Sequence, residues 1–412
     1  LTLEDSGLFV MSNYFWGISH SPGYPLHSIL GGIFSHLPLG EIAFRCQLFS
    51  SLCGSLSCVI LYYIFLSLEV NRFISATVAG TYGVSALLWS QSIVVEVYSL
   101  HTLLLFSLFY GCISFHQNPS RKNICLIGLA IGLGFANHWP LTLFSLPGFA
   151  AFLVPKRKKL LGSFHFFLGF VLLGLTPYLY MIIRSQFNPE ISFYGPINSY
   201  KKFKFIVLRE GYRKIGGFSG GPNGEMFFSA EKIYEIMKYI QWSIKDLFLQ
   251  YHFMVLPFVL VGMVVKWKKY SIWICISISL LVFSQSLAVL LVMRPQFDQL
   301  SQNIMRVFPI FAHGIIALLA GIGISSTFEL FKCFSKKTQI VLSVIVLSAL
   351  PILTFMNNYS FNNRRDYNWG EKYARTVLDS FENNAVYIAN TDVEVSQLGY
   401  MTCLLYTSDA AD

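Results

Sequence analysis

Ten uncharged stretches, most of them near the length needed to cross a bilayer, run through this chain. They leave room for little but a bundle of membrane helices. A helix rises about 1.5 Å per residue, so roughly 20 residues cross the hydrocarbon. The stretches are 46–68, 73–95, 97–115, 124–136, 140–154, 160–183, 247–265, 270–293, 307–328 and 340–356. The fourth and fifth are short and come from one uncharged segment, 123–155. That segment is too long for one crossing and is interrupted by Asn137-His138-Trp139-Pro140, so it is expected to cross twice. Charged residues are 12% of the chain, about half the roughly 25% of a soluble domain, and a soluble core has no use for this much apolar surface. The expected fold class is therefore an all-α polytopic membrane protein with about ten transmembrane helices.

Charge placement orients the bundle. If residue 1 lies outside, thirteen Lys and Arg fall on inner loops (at Arg72, Arg121, Lys156–Lys159, Lys266–Lys269 and Lys332–Lys337) against two acids, Glu69 and Glu329. The short outer segments then hold Arg45, Arg294 and Arg306 against Glu4, Asp5, Glu41, Glu96 and Asp298. Basic loops stay cytoplasmic, so this orientation is expected, with a multi-pass protein whose active face is extracytoplasmic. The formal net charge of +9 sits in these flanking clusters rather than in a patch, so the bilayer is the expected partner and nucleic acid is not. The segment around 21–40, with Pro22, Pro25, Pro38 and His20, His27 and His36, makes a poor lipid-facing helix. Two amphipathic helices in the outer interface, about 8–18 and 26–37, are expected instead. The expected organisation is an outer loop 1–45, a six-span bundle 46–183, a large outer loop 184–246, a four-span bundle 247–356, and the start of an extracytoplasmic α/β domain at 357–402. Within that last piece a helix is expected over 369–381 and a buried strand over 384–389.

With that parity, polar groups from distant parts of the chain emerge at one end. Asp5 is a candidate general base; it reads equally as the cap of the helix behind it. Glu4 beside it would raise its pKa. His20-Ser21-Pro22-Gly23-Tyr24-Pro25 is a stiff turn, either a connector or a binding element carrying His20 and Tyr24. Glu96 and Tyr98 open the third span, where the helix dipole alone would favour a Glu. Asn137 and His138 break an apolar stretch, as a hinge or as groups facing a cavity. Arg184 and Arg306 could each clamp a phosphate or anchor at headgroups. The basic run Lys201, Lys202, Lys204, Arg209, Arg213 and Lys214 suits a lipid phosphate or a solvated helix face. The glycine-rich segment 216–224 has no phosphate-loop order and reads as a loop. The eight Cys show no metal-ligand spacing, and no metal is expected.

Leu3-Glu4-Asp5-Ser6-Gly7, then His20-Ser21-Pro22-Gly23-Tyr24-Pro25-Leu26, resembles the DSGE…HPPGYPL opening of protein O-mannosyltransferase-like membrane glycosyltransferases of the GT-C superfamily. Ala43-Phe44-Arg45, Trp89-Ser90-Gln91, Glu96-Val97-Tyr98, Asn137-His138 and Pro177-Tyr178-Leu179-Tyr180 through Arg184 extend the likeness over most of residues 1–400. Leu8 stands where the pattern has Glu, Ser21 where it has the first Pro, and Phe193-Tyr194-Gly195-Pro196 lacks the pattern's Asp. The resemblance implies a GT-C-like fold and a sugar moved from a polyprenyl phosphate donor, such as a dolichyl-type phosphate mannose. The acceptor would be a hydroxyl of protein (Ser or Thr) or glycan on the non-cytoplasmic side. Asp5 would be the catalytic carboxylate, acting by inverting single displacement without a resident cofactor. A transporter or flippase of lipid-linked sugars, or a scaffold without chemistry, is the alternative class. Residues 403–412 read as translated adapter, and a preceding N-terminal span is expected.

Overall fold

The structure, a computed structural model, describes residues 5–211, 230–382, 385–389 and 392–405. The described chain is helical: α1 (Ser6–Tyr14), α2 (Pro25–Ser35), α3 (Ile42–Ser67), α4 (Arg72–Gly83), α5 (Ala86–Ser92), α6 (Val97–Gln117), α7 (Arg121–Leu153), α8 (Arg157–Gly162), α9 (Phe164–Gly174) and α10 (Pro177–Ser185). There follow α11 (Tyr200–Val207), α12 (Ala230–Gln250), α13 (Leu256–Lys269), α14 (Ile272–Gln285), α15 (Leu287–Met293), α16 (Gln299–Arg306), α17 (Ile310–Leu330), α18 (Lys336–Asn362), α19 (Trp369–Asp379) and α20 (Asp392–Tyr400).

Among the described residues, seven helices are long and apolar enough to cross a membrane, or up to nine if each of two bent pairs is one span. The chain is thus a multi-pass membrane protein. The expected span at 73–95 is the first bent pair, α4 and α5, turned by 65° at Val84-Ser85. The expected span at 247–265 is broken. α12 begins well before it, and the chain bends by 100° between α12 and the turn leading into α13. Tyr251-His252 makes the break, and His252 caps the following turn through Met254 N–H.

The two expected short spans at 124–136 and 140–154 form one helical run, α7, which doubles back. His138 alone leaves helical geometry inside it (φ −143°, ψ 82°). Asn137 Nδ2 donates to the Val97 carbonyl (3.1 Å) at the start of α6. At the other end of α6, His116 Nδ1 lies 3.2 Å from the Phe152 carbonyl oxygen, and Asn123 reaches the Asn118 carbonyl. Both ends of α7 therefore lie at the C-terminal end of α6. Pro140 weakens the helix at this point, because it cannot donate to the carbonyl one turn back, and the chain turns at His138 within that same helical turn.

The loops at 68–71, 117–120 and 270–271 meet at one end of the bundle, where Tyr270 O–H donates to the Leu68 carbonyl (2.9 Å). The basic clusters lie there. At the opposite end Asn358 Nδ2 donates to the Val84 carbonyl (3.0 Å). α17 is the axis: 78% of its apolar window is buried against 11% for α18, which turns its side chains outward. α17 packs on α13 through a pair of glycines. A Cβ at Gly262 would strike the Leu319 carbonyl, and one at Gly323 the Phe258 carbonyl. Small residues let membrane helices approach backbone to backbone.

Three expectations differ at the opposite end. α1 is not an amphipathic helix with one face open to lipid; it is enclosed on all sides, with Leu8, Phe9, Val10 and Met11 at most 3% exposed. The cover is the C-terminal segment, since α20 packs on α1 and Leu8 N–H donates to Ser396 Oγ (3.1 Å). α1 also stops earlier than expected, at Tyr14, because Trp16 turns the chain through a left-handed conformation (φ 51°). Residues 385–389 are not a buried strand. They are irregular, with Val386 and Ile388 exposed, and among the described residues no neighbouring strand exists to pair with them. α19 lies where a helix is expected. Residues 401–405 continue from α20 with Leu404 buried against the α1 cluster, while 406–412 lie outside the described residues.

Candidate functional site

The site forms where the turn after α1, the start of α6, the reversal in α7 and the end of α11 meet. Asp5 occupies the N-cap position of α1, but its carboxylate makes no capping hydrogen bond to the helix. It faces His20 instead, whose Nε2 lies 3.6 Å from Asp5 Oδ2, with the Asp5 side chain 37% exposed. That separation suits an ion pair rather than a direct hydrogen bond. Ser19 Oγ lies 3.3 Å from His20 Nδ1, on the far side of the ring. The capping account of Asp5 thus loses its geometry, and a carboxylate open to solvent on one side and backed by an imidazole remains.

The 15–24 turn is rigid for identifiable reasons. Gly17 lies so close to the Ile191 carbonyl that a Cβ would collide with it, and Ile18 N–H donates to the same carbonyl (2.9 Å). Ser21 donates through its hydroxyl to Tyr194 O–H (3.0 Å). Gly23 (φ 94°) and Tyr24 (φ 42°) both adopt left-handed backbone, a conformation costly for tyrosine. It sends the Tyr24 ring between Phe9 (5.4 Å) and His138 (6.0 Å). Burial between Phe9 and Phe49 holds the His27 imidazole down to about 3, so it stays neutral at ordinary pH.

Tyr98 stands at the centre. Its ring lies 5.7 Å from His138 and 6.3 Å from Phe308. Its hydroxyl sits in the field of Tyr24, Glu96, Arg209 and Asp5. Glu96 is buried and, like Asp5, holds an N-cap position without a side-chain capping hydrogen bond, a place that the helix dipole also favours. Asn137 is buried with its amide nitrogen spent on Val97 and its Oδ1 without a hydrogen-bond partner. His138 is fixed from below, where its Nδ1 accepts from Leu141 N–H (3.4 Å).

Of the expected site residues, Asp5, His20, Tyr24, Glu96, Tyr98, Asn137 and His138 converge. Glu4 lies outside the described residues, as do Arg213, Lys214 and the glycine-rich 216–224. Arg184 is engaged with backbone carbonyls. Its Nε donates to the Trp16 carbonyl (3.0 Å) and its terminal nitrogen to the Phe15 carbonyl (3.1 Å). It is a strut for the end of α1, where unsatisfied carbonyls attract a cation. Arg306 is likewise committed, to Asp246 (3.1 Å), which also accepts from Gln250 (2.8 Å). Asp246 is 7% exposed in its side chain. Breaking such a pair strands a buried charge, a loss on the order of 3 kcal/mol. Arg306→Gln is therefore expected to lower the unfolding midpoint, and Arg306→Gln with Asp246→Asn to restore part of it. A double variant no more stable than the single one would contradict this assignment.

Two site residues were not singled out by sequence. His101 lies three positions after Tyr98, on the same face of α6, and its ring is 5.5 Å from His138, fully buried with neither nitrogen hydrogen-bonded. A histidine in an apolar span was the available signal. Arg209 was one cation in a basic run, whose Lys201 and Lys204 are exposed. It is brought to His138 and Tyr98 because Trp139 Nε1 donates to the Val207 carbonyl (2.7 Å), docking the end of α11 on the α7 reversal. Among the described residues no cluster of three His, Cys, Asp or Glu could hold a metal. Beside Phe308 a separate apolar cavity of about 240 Å³ opens between α12, α15 and α17.

Comparison with known proteins agrees with this architecture. The family model described as the N-terminal domain of protein O-mannosyl-transferase TMEM260 matches residues 5–162, the part that carries every converging group except Arg209. The chain is 25% identical over 417 residues to protein O-mannosyl-transferase TMEM260 of Mus musculus, covering 96% of this chain and 57% of that protein. It is 23% identical to protein O-mannosyl-transferase tmem260 of Dictyostelium discoideum, covering 94% and 51%. The chain thus spans a little over half the length of these relatives. Among solved structures, ArnT from Cupriavidus metallidurans bound to undecaprenyl phosphate superposes with a TM-score of 0.50 at 11% identity, covering 97% of this chain and 70% of that one. The fold is similar to that of ArnT, and the O-mannosyltransferase-like resemblance of the sequence stands.

Proposed function

We propose that this chain, O-mannosyltransferase-like in sequence and GT-C in fold, transfers a mannose-like hexose from a polyprenyl phosphate to a hydroxyl acceptor, a Ser or Thr of protein. The single observation that carries the reading is the Asp5 carboxylate. It is half open to solvent, leaves its own helix uncapped and sits with His20 among the buried groups around Tyr98. In this reading the acceptor hydroxyl oxygen attacks the anomeric carbon. The bond from that carbon to the phosphate oxygen breaks, the electron pair leaves with the phosphate, and the hydroxyl proton passes to Asp5. One displacement inverts the anomeric centre, and no glycosyl-enzyme intermediate is needed. His20 holds the carboxylate in position. Arg209 is the cation placed to offset charge growing on the leaving phosphate, an interaction stronger in the transition state than before it. The apolar cavity beside Phe308 suits the first isoprene units of the donor. The basic clusters gather at the end of the bundle opposite the site, and basic loops favour the cytoplasm, which supports an extracytoplasmic site in this reading.

The test is incubation of membranes carrying the protein with labelled polyprenyl phosphate mannose and a hydroxyl-bearing acceptor. Label in the acceptor with inverted configuration is expected. Label that only crosses the bilayer as intact lipid would replace this reading with a flippase.

Arg184→Ala refines the mechanism. Because Arg184 holds the Phe15 and Trp16 carbonyls, its loss is expected to loosen the turn carrying His20 and to lower kcat by about tenfold or more, with the donor KM little changed. A selective rise in donor KM would return Arg184 to the phosphate.

A further inference from the structure

Asp5 is open on one side, and the surface beside it is built by the segment that follows α10. Residues 186–197 are pinned at both ends. Ile197 N–H donates to Ser185 Oγ (2.9 Å), and Gln186 Nε2 donates to the Ile197 carbonyl (3.0 Å). Between those ends the segment runs beside the 15–24 turn as a one-rung parallel pairing of Ile18 with Ser192. Ile18 N–H donates to the Ile191 carbonyl (2.9 Å), and Phe193 N–H donates to the Ile18 carbonyl (3.3 Å). Both bonds use residues 191 and 193, so the alternation of a strand turns the N–H and C=O of Ser192 the other way. Among the described residues neither of these groups has a hydrogen-bond partner. Ser192 keeps partial exposure although its Oγ is shut in, so what it shows to solvent is main chain and Cβ.

Phe193 carries this surface to the site. The rings of Phe9, Tyr24 and Phe193 stand around His20. The first two are buried, whereas Phe193, 6.3 Å from His20, is 38% exposed. From Phe193 past His20 to Asp5, a further 3.6 Å, is a path that about three extended residues cover. The proposed chemistry assigns a side as well. In an inverting displacement the attacking oxygen and the leaving phosphate stand on opposite faces of the sugar. Arg209, the cation for the phosphate, acts on Tyr98 and His138. The acceptor therefore enters from the Asp5 side, where the free edge and the exposed ring lie. A free main-chain edge is a template for an added strand.

We propose that the Ser192 edge and the Phe193 ring form the acceptor-docking surface, and that its occupant is an extended, unfolded segment of polypeptide bearing the Ser or Thr. The peptide gives a carbonyl to Ser192 N–H and an N–H to the Ser192 carbonyl, and a flanking side chain packs on Phe193. Such docking reads main chain, so it tolerates many sequences but needs a stretch free of its own strand partners. A glycan cannot supply that. The inference rests on the proposed sugar transfer for its direction, while the docking itself is measured without donor.

The experiment is fluorescence anisotropy of a dye-labelled nine-residue peptide, Val and Gln around one Thr, titrated with the detergent-purified protein. Saturable binding is expected. Replacing the peptide bonds by esters one at a time removes a single N–H and keeps the shape. One ester position, within about three residues of the Thr, should weaken binding about fivefold, the scale of one hydrogen bond, and the others should not. Phe193→Ala should weaken binding about tenfold and Phe193→Leu less. Ser192→Pro removes the outward N–H and spares both Ile18 bonds, an exchange that an edge tolerates, and should weaken binding about fivefold. Acetylthreonine methylamide, which lacks the flanking chain, should compete only at concentrations at least about tenfold higher, and methyl mannoside should not compete. Absence of saturable binding, or affinity unchanged across the ester series and in Phe193→Ala, would overturn the docking whether or not sugar is transferred. Docking as described with no transfer from labelled polyprenyl phosphate mannose would uphold this surface and overturn the transferase reading instead.

Discussion

Asp5→Asn is expected to insert and fold as the parent does and to lose at least ~100-fold in sugar transfer, the scale of a missing general base. The substitution keeps the shape and removes only the negative charge and the basic oxygen. Asp5 caps no helix, so stability should barely change. The chemistry should change, because the amide cannot take the proton that the acceptor oxygen sheds. His20, 3.6 Å away, loses its anionic neighbour and cannot replace it from its own side of the turn. His20→Gln should show a smaller loss, since the carboxylate survives it. Transfer near the parental rate in Asp5→Asn, measured at saturating donor and acceptor, would remove Asp5 from the role of base and move attention to Glu96.

Gly262→Val is expected to cost the protein most of its folded yield. The α13–α17 crossing brings the Cα of each glycine against a carbonyl of the other helix. A branched side chain there meets backbone, which cannot rotate away as a flexible side chain can. Overpacking typically costs about 1–3 kcal/mol per site, and this site lies on the axis of the bundle. Relief would require α13 to withdraw from α17 along its whole length. Gly169→Val is the matched control, because a Cβ there meets nothing within 4 Å. Equal recovery of monodisperse protein from the two variants would show that the close crossing does not hold the bundle together.

The bundle was legible because its signal is collective. Each span is an uncharged run of a length set by the bilayer, and the basic clusters between runs carry their own phase. Asn137-His138-Trp139-Pro140 was legible as a reversal for a local reason, the missing donor of Pro140. What escaped depends on contacts between distant segments. The run 247–265 has the composition of one crossing, and nothing in it announces the bend at Tyr251-His252. α1 looked interfacial because its first turns are apolar, whereas its cover comes from α20. In the site, Asp5, Tyr98 and His138 stood out as polar groups at span ends. Arg184 and Arg306 stood out for the same reason, yet each is bound to a partner, the Phe15 and Trp16 carbonyls and Asp246, that sequence spacing does not reveal. Arg209 was hidden among solvated lysines, because its selection depends on one hydrogen bond from Trp139.

The clasp between α1 and α20 joins positions 388 apart in the chain, Leu8 and Ser396. During synthesis on a ribosome, the helix that bears Asp5 emerges before every described span and its brace emerges after them. The nascent protein must therefore thread the described membrane segments while α1 waits uncovered, its apolar side chains open to chaperones. Closure of so long a loop is slow relative to local helix formation. Catalytic competence should then appear as a late, separate event, well after insertion of the spans is complete.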